Sequence, residues 1–322
     1  MTTQTIERGL TQNPSKKKPA TKVSSKLSQK SKYIAYAALV LTTLIWSTTF
    51  VSTKLLIGDV NPVMLLVYRF GFAGFALGLF LVARGYRKVL FKDFPLGFMC
   101  GALLWMTLVA QNLALQITTI NNANFILGLF IVFVPFLSLP ILNRQIKPVE
   151  YFVLAMSILG IWLLTGGISG PNWGDWICLG GALTYALFLV LSNKVSKRED
   201  PLVETFQQFL TVAILSLVTV ITFRLPIEIR TYQSFVLTAY LALIPSLVCY
   251  ILYNKFEKNI DPFVVSLIIS LDTFITPIFA AIFVHEPLTN NILLGGSIIG
   301  LSILLTNEKL RSKVKQLIWV HN

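Results

Sequence analysis

Residues 133–165 carry Phe133-Val134-Pro135-Phe136, then Ser157-Ile158-Leu159-Gly160, then Leu163-Leu164-Thr165; residues 275–306 carry Ile275-Thr276-Pro277-Ile278, then Ser297-Ile298-Ile299-Gly300, then Leu304-Leu305-Thr306. Nearer the start of each half, Leu44-Ile45-Trp46-Ser47 stands against Leu183-Thr184-Tyr185-Ala186. Matches kept in one order and at nearly the same spacing mark an internal duplication. Every matched segment sits inside an apolar run of roughly 18–23 residues, enough to cross a hydrocarbon core of about 30 Å as a helix. In lipid the backbone must satisfy its own hydrogen bonds, so such runs are helices rather than barrel strands.

Working outward, the first half divides into predicted spans Tyr33–Thr53, Pro62–Ala83, Phe94–Leu115, Ile120–Leu142 and Val149–Thr165. The second half gives Trp173–Asn193, Leu202–Phe223, Phe235–Tyr253, Pro262–Val284 and Thr289–Thr306. The expected fold is an all-α polytopic membrane protein of ten transmembrane helices. Five spans per half is an odd number, so the two repeats, residues 33–167 and 173–306, must insert in opposite senses. Inverted repeats are a device of secondary transporters, whose halves rock to open one side or the other.

Composition agrees. Of 322 residues, 55% are hydrophobic and 13% charged, too few charges to coat a soluble chain of this length. The net charge of +13 does not indicate a nucleic-acid partner, because the basic residues fall in tails and loops beside the spans. With the amino terminus cytoplasmic, the inner loops hold Arg84, Arg87, Lys88, Lys92, Arg144, Lys147, Lys194, Lys197, Arg198, Lys255 and Lys258. The outer ones hold only Lys54, Arg224 and Arg230. That bias places both termini in the cytoplasm of an inner, or plasma, membrane. Residues 1–32 read as a disordered basic tail, for which a plastid transit peptide, and so a plastid membrane, is the minority alternative. Residues 307–322 put Leu310, Val314 and Leu317 on one helical face, as an interfacial tail would. Cys100, Cys178 and Cys249 all lie in apolar runs, and His285 and His321 are far apart, so neither disulfide nor metal site is expected. No phosphate-binding loop suggests ATP, and no cofactor is expected.

The chain resembles the EamA-type branch of the drug/metabolite transporter superfamily from Tyr33 to Thr306. The resemblance is carried by Leu44 to Phe50 with Lys54, Tyr68-Arg69-Phe70, Gly174-Asp175, Ala182 to Leu187, Pro277 to Glu286, and Gly295 to Gly300. It implies ten helices, cytoplasmic ends, and a central cavity lined mainly by helices other than the fifth and tenth. It also implies export of small metabolites such as amino acids by alternating access, or of cationic or amphiphilic drug-like compounds. Arg144 stands where the family's fourth-span motif ends in an acid, which Glu286 keeps in the second half. Tyr185 replaces a tryptophan.

Asp272 reads as the one acid deep in a span. A carboxylate in hydrocarbon is costly, so a proton or cation site is expected there; the structural alternative is a neutral carboxyl bonded to a neighbour such as Ser266 or Ser270. Arg69, the base at comparable depth, is a candidate for a substrate carboxylate, for Asp272, or for scaffolding. Gln111, Asn112 and Asn124, from a polar cluster with Gln116, Asn121 and Asn122, are expected in part at a cavity, as is Gln208 beside Gln207. Trp46, Trp105, Tyr185 and Tyr250 are candidate aromatic walls. Pro135 and Pro277 are expected to kink their helices and serve gating. Pairs Gly74/Gly78, Gly97/Gly101 and Gly296/Gly300 are packing ridges. A channel would need a filter-like loop, and a membrane-embedded enzyme a buried nucleophile or metal constellation; neither is visible in the sequence.

Overall fold

The computed structural model describes residues 29–164, 172–197 and 200–306. The described residues are helical, without strands. The helices are α1 (Gln29–Leu55), α2 (Pro62–Ala83), α3 (Phe94–Ala114), α4 (Ile120–Leu127), α5 (Phe130–Leu142), α6 (Pro148–Leu164) and α7 (Trp173–Val195). They continue with α8 (Pro201–Thr222), α9 (Tyr232–Leu241), a π-helical segment (Ala242–Val248), α10 (Cys249–Glu257), α11 (Pro262–Ile269), α12 (Asp272–Phe283) and α13 (Asn290–Thr306). Among the described residues, eight spans are long and apolar enough to cross a membrane, counting α4–α5, α9–α10 and α11–α12 as one span each. The shorter α6 and α13 have 17 residues apiece. Residues 1–28 and 307–322, where both basic tails were expected, lie outside the described residues, and α1 begins four residues before the predicted first span.

Helix starts follow local chemistry. Asn61, Asp200 and Asp261 cap α2, α8 and α11 with their side chains, each followed by proline at the first helical position, where a missing N–H costs nothing. Asn172 and Asp175 form a reciprocal capping box at the start of α7. Between α1 and α2, Asp59 accepts hydrogen bonds from Ser234 Oγ (2.6 Å) and Thr231 Oγ1 (3.0 Å). Those bonds, with Arg230 nearby, hold its carboxyl below the usual carboxylate range.

Packing is by neighbouring pairs. α2 lies along α8, α3 runs between α7 and α8, α5 packs on α7, and α1 contacts α10 and α12. α6 packs on α13. Large apolar side chains such as Phe75 and Ile221, both 67% exposed, cover the outer surface, as hydrocarbon contact requires. Two of the glycine ridges seat α8. A Cβ on Gly78 would lie 2.8 Å from the Phe206 ring, and one on Gly101 would lie 2.6 Å from Thr211 Cβ and 3.0 Å from the Gln208 carbonyl. Gly296 makes only ordinary contact, with Phe125. Gly101→Val is therefore expected to cost about 1–3 kcal/mol by overpacking and to lower the melting temperature in detergent by several degrees. Gly180→Val, where a Cβ meets nothing within 4 Å, is the matched control and should leave it nearly unchanged.

The fourth and ninth predicted spans are each broken. The interruptions fall at Gly128–Leu129 and Ser270–Leu271, well before the prolines. Pro135 and Pro277 are buried inside α5 and α12, so they do not make the breaks. The breaks face one another: a Cβ on Gly128 would be 3.0 Å from Thr273 Oγ1, and Asn124 Nδ2 donates to the Asp272 carbonyl at 3.3 Å.

Candidate functional site

A small cavity of about 60 Å³ lies at these crossed breaks. Its walls come from Trp46, Thr49 and Phe50 of α1, Arg69 of α2, Leu104, Thr107, Leu108 and Gln111 of α3, and Asn124, Leu127, Gly128 and Phe130 around the first break. Tyr185, Tyr250, Ile269 and Asp272 complete it. Both duplicated halves thus contribute, and Arg69 and Asp272 are its charged side chains.

Specific contacts hold Trp46 and one side of Arg69. The Cys249 N–H reaches back to the Ile244 carbonyl, five residues away, instead of to Pro245, as a π-helix does. Trp46 Nε1 donates to the Pro245 carbonyl at 2.8 Å, which fixes the indole across the cavity. The same segment presents Ser246, whose Oγ accepts from Arg69 Nε at 3.3 Å. Arg69 is 1% exposed, its guanidinium sits 5.4 Å from the centroid of the Phe70 ring, and its Nη1 has no partner among the described residues. Thr49 Oγ1 is likewise buried and unpartnered. Polar atoms left this way on a cavity wall are ready to meet a polar ligand.

Asp272 is the first residue of α12, immediately past the break. No salt bridge joins it to Arg69 among the described residues; the two share a cavity, not an ion pair. Ser266 and Ser270, the alternative partners, bond carbonyls of their own helix, Phe263 and Leu267. Trp46 and Tyr250 lie with ring centroids 5.0 Å apart, and Tyr185 meets Phe130 edge-on at 4.9 Å, so the walls are aromatic on two sides.

The cavity collects Trp46, Arg69, Gln111, Asn124, Tyr185, Tyr250 and Asp272 from the sequence candidates. Three fall elsewhere. Asn112 Nδ2 donates to the Pro62 carbonyl at 3.0 Å and ties α3 to the start of α2. Trp105 is half-buried against the main core. Gln208 belongs to a polar network between α7, α8 and α10, where it donates to Glu204 and accepts from Asn254, both at 3.0 Å. Gln207 donates to the Leu90 and Lys92 carbonyls.

That network adds two acids at span ends to Asp272, which lies deep in its span. Glu204 and Glu257 are 0% and 1% exposed. Ser192 Oγ lies 2.9 Å from a carboxylate oxygen of each, and Ser196 Oγ also contacts both. Tyr253 donates to Glu257 at 2.9 Å. Its ring packs on Trp46 (5.7 Å) and Phe188 (6.0 Å), and Phe188 stacks on Tyr185 (5.9 Å), so aromatic rings separate the acids from the cavity. Both carboxylates stand at span edges, and the packing of α7, α8 and α10 encloses them.

The family model for EamA-like transporters matches residues 33–166 and again residues 172–308. The chain belongs to the EamA-like transporter family. It is a multi-pass membrane protein. Among relatives, an uncharacterized transporter of Archaeoglobus fulgidus is 25% identical over 271 residues, 84% of each chain. The uncharacterized inner membrane transporter YedA of Escherichia coli K12 is 22% identical over 232 residues, 70% of this chain and 75% of its own. A solved crystal structure at 17% identity shares the fold with a TM-score of 0.69, over 88% of this EamA-like chain and 99% of its own.

Proposed function

We propose that this EamA-like protein is a secondary transporter that exports small zwitterionic metabolites such as amino acids by alternating access, with proton exchange at Asp272. The observation that carries the reading is the central cavity. It sets a buried guanidinium with a free N–H from one half and a carboxyl from the other among aromatic walls. Arg69 suits a carboxylate, which accepts from a planar fork of donors. Asp272 suits an ammonium group or a proton, and Trp46, Tyr185 and Tyr250 suit an apolar or cationic side chain.

The reading includes ten spans as two inverted five-helix halves with both termini in the cytoplasm. Its supports are the two consecutive family matches, the breaks at equivalent points of α4–α5 and α11–α12, and the pairing of α6 with α13 away from the cavity. At 17 residues, α6 and α13 are at the short end of helices that span a bilayer. The second reading, export of cationic amphiphiles, draws on the same aromatic walls with Asp272 as the counter-charge.

Counterflow in proteoliposomes tests the class of function directly. Vesicles preloaded with one amino acid at a time are expected to take up its labelled form saturably, with stimulation by the internal pool. Flux that rises linearly with concentration and ignores the internal pool would make the protein a channel and end this reading.

A further inference from the structure

α5 and α12 end in the same unusual way. Asn143 follows α5 with φ 52°, and His285 lies just past α12 with φ 56°; both are non-glycine residues in the left-handed region. Such conformations persist where surrounding contacts hold them. The residue after each makes those contacts. Glu286 Oε1 accepts from Ile120 N at 2.8 Å, and its Oε2 accepts from Asn121 N at 3.2 Å, so the carboxylate sits on the first two amides of α4. A carboxylate there also meets the positive end of the helix dipole.

Arg144 occupies the equivalent place in the first half, by the same offset that relates Pro135 to Pro277. It reaches the start of α11: its Nε donates to Asp261, the N-cap residue, at 2.9 Å, and its guanidinium lies 5.4 Å from the Phe263 ring centroid. Its other two nitrogens grip Glu150 of α6, which is 1% exposed. The outcome is the same contact built with opposite chemistry. A carboxylate caps one helix, and an ion-pair triad ties down the other.

The two contacts lie at opposite ends of the bundle. Asp261 and Glu286 flank one broken span, Ile120 and Arg144 the other, and each contact joins the end of one span to the start of its partner. The broken spans therefore run antiparallel, crossing at the cavity. We infer that Glu286 on α4 and Arg144 on Asp261 are the paired latches of the two mouths, each released while the other holds. This rests on the alternating-access reading above. Both contacts are made here. The triad latch depends on charge pairing and is screened by salt, whereas the carboxylate on backbone amides is not an ion pair between side chains.

The test labels Thr49→Cys, on the cavity wall, with a membrane-impermeant maleimide from either side, in a background with Cys100, Cys178 and Cys249 replaced by serine. Asp261→Asn keeps an N-cap for α11 but loses the charge that Arg144 holds. It is expected to raise labelling through the Arg144 mouth about threefold and to lower it through the other, a shift in scale with a partly exposed ion pair. Glu286→Gln should do the reverse. Variants that change both mouths alike, or neither, would overturn the latches while leaving transport standing. If the unmodified protein is reached from one mouth only, whether or not substrate is present, alternating access fails and the latches with it.

Discussion

Arg69→Gln is expected to weaken the apparent affinity for a carboxylate-bearing substrate about 10- to 100-fold, the scale of a charge-assisted hydrogen bond worth about 1.5–3 kcal/mol. The side chain is almost fully enclosed and held through Nε by Ser246, with Nη1 left free on the cavity wall. A guanidinium spared for a ligand behaves differently from one that braces the scaffold, and Ser246→Ala separates the two. That change removes the same tie and no charge, so a bracing role would make the two variants alike. A binding role predicts a small effect for Ser246→Ala, about 0.5–1.5 kcal/mol in stability, with affinity nearly kept. Arg69→Lys should fall between, since an ammonium retains charge but lacks the planar fork. Counterflow titrations on the three variants decide it. Undiminished affinity for amino acids in Arg69→Gln, together with tighter binding of an organic cation, would favour the cationic-amphiphile reading.

How far the sequence foretold this site depends on what kind of information a helix carries. Depth in the membrane is legible, because a residue's distance from the span ends follows from counting. Asp272 and Arg69 stand out that way. Azimuth is not. On α3 the cavity takes Leu104, Thr107, Leu108 and Gln111, one stripe at helical spacing. Trp105 and Asn112 are each one residue off that stripe, about 100° around, and so face protein instead. The apolar flanks offer no polar contrast to fix the direction, since both lipid and helix neighbours are greasy.

Span ends were legible where proline follows a capping side chain, as at Asn61-Pro62 and Asp261-Pro262. The breaks were not. Prolines advertise a lost hydrogen bond, but Gly128 and Ser270 interrupt their helices where the two spans cross. That is a tertiary event with no local signature. The π-helical turn had one mark, Pro245 within a span, and through it the positions of Trp46 and Arg69 were set. Glu204 and Glu257 were hidden because acids near span ends ordinarily meet water; only the packing of α7, α8 and α10 shows them enclosed.

Asp272→Asn is expected to abolish accumulation driven by a pH gradient while leaving counterflow running, at lower affinity for a substrate's ammonium group. With one proton exchanged per substrate, each unit of pH difference sustains about a tenfold substrate gradient, since a pH unit is worth about 1.36 kcal/mol. The variant should sustain none. Coupling needs a group whose charge changes within reach of the substrate, and Asp272 is the cavity's carboxyl, unpaired with Arg69. Counterflow exchanges substrate for substrate and needs no proton to move, so a neutral amide of the same size preserves it. Asp272→Glu should retain accumulation. The enclosed pair Glu204 and Glu257 is the competing proton site, lying behind Tyr253 and the ring stack. If Asp272→Asn still accumulates substrate and Glu257→Gln does not, the proton is carried there. The cavity then binds substrate alone, and coupling passes through the aromatic layer as a change of conformation.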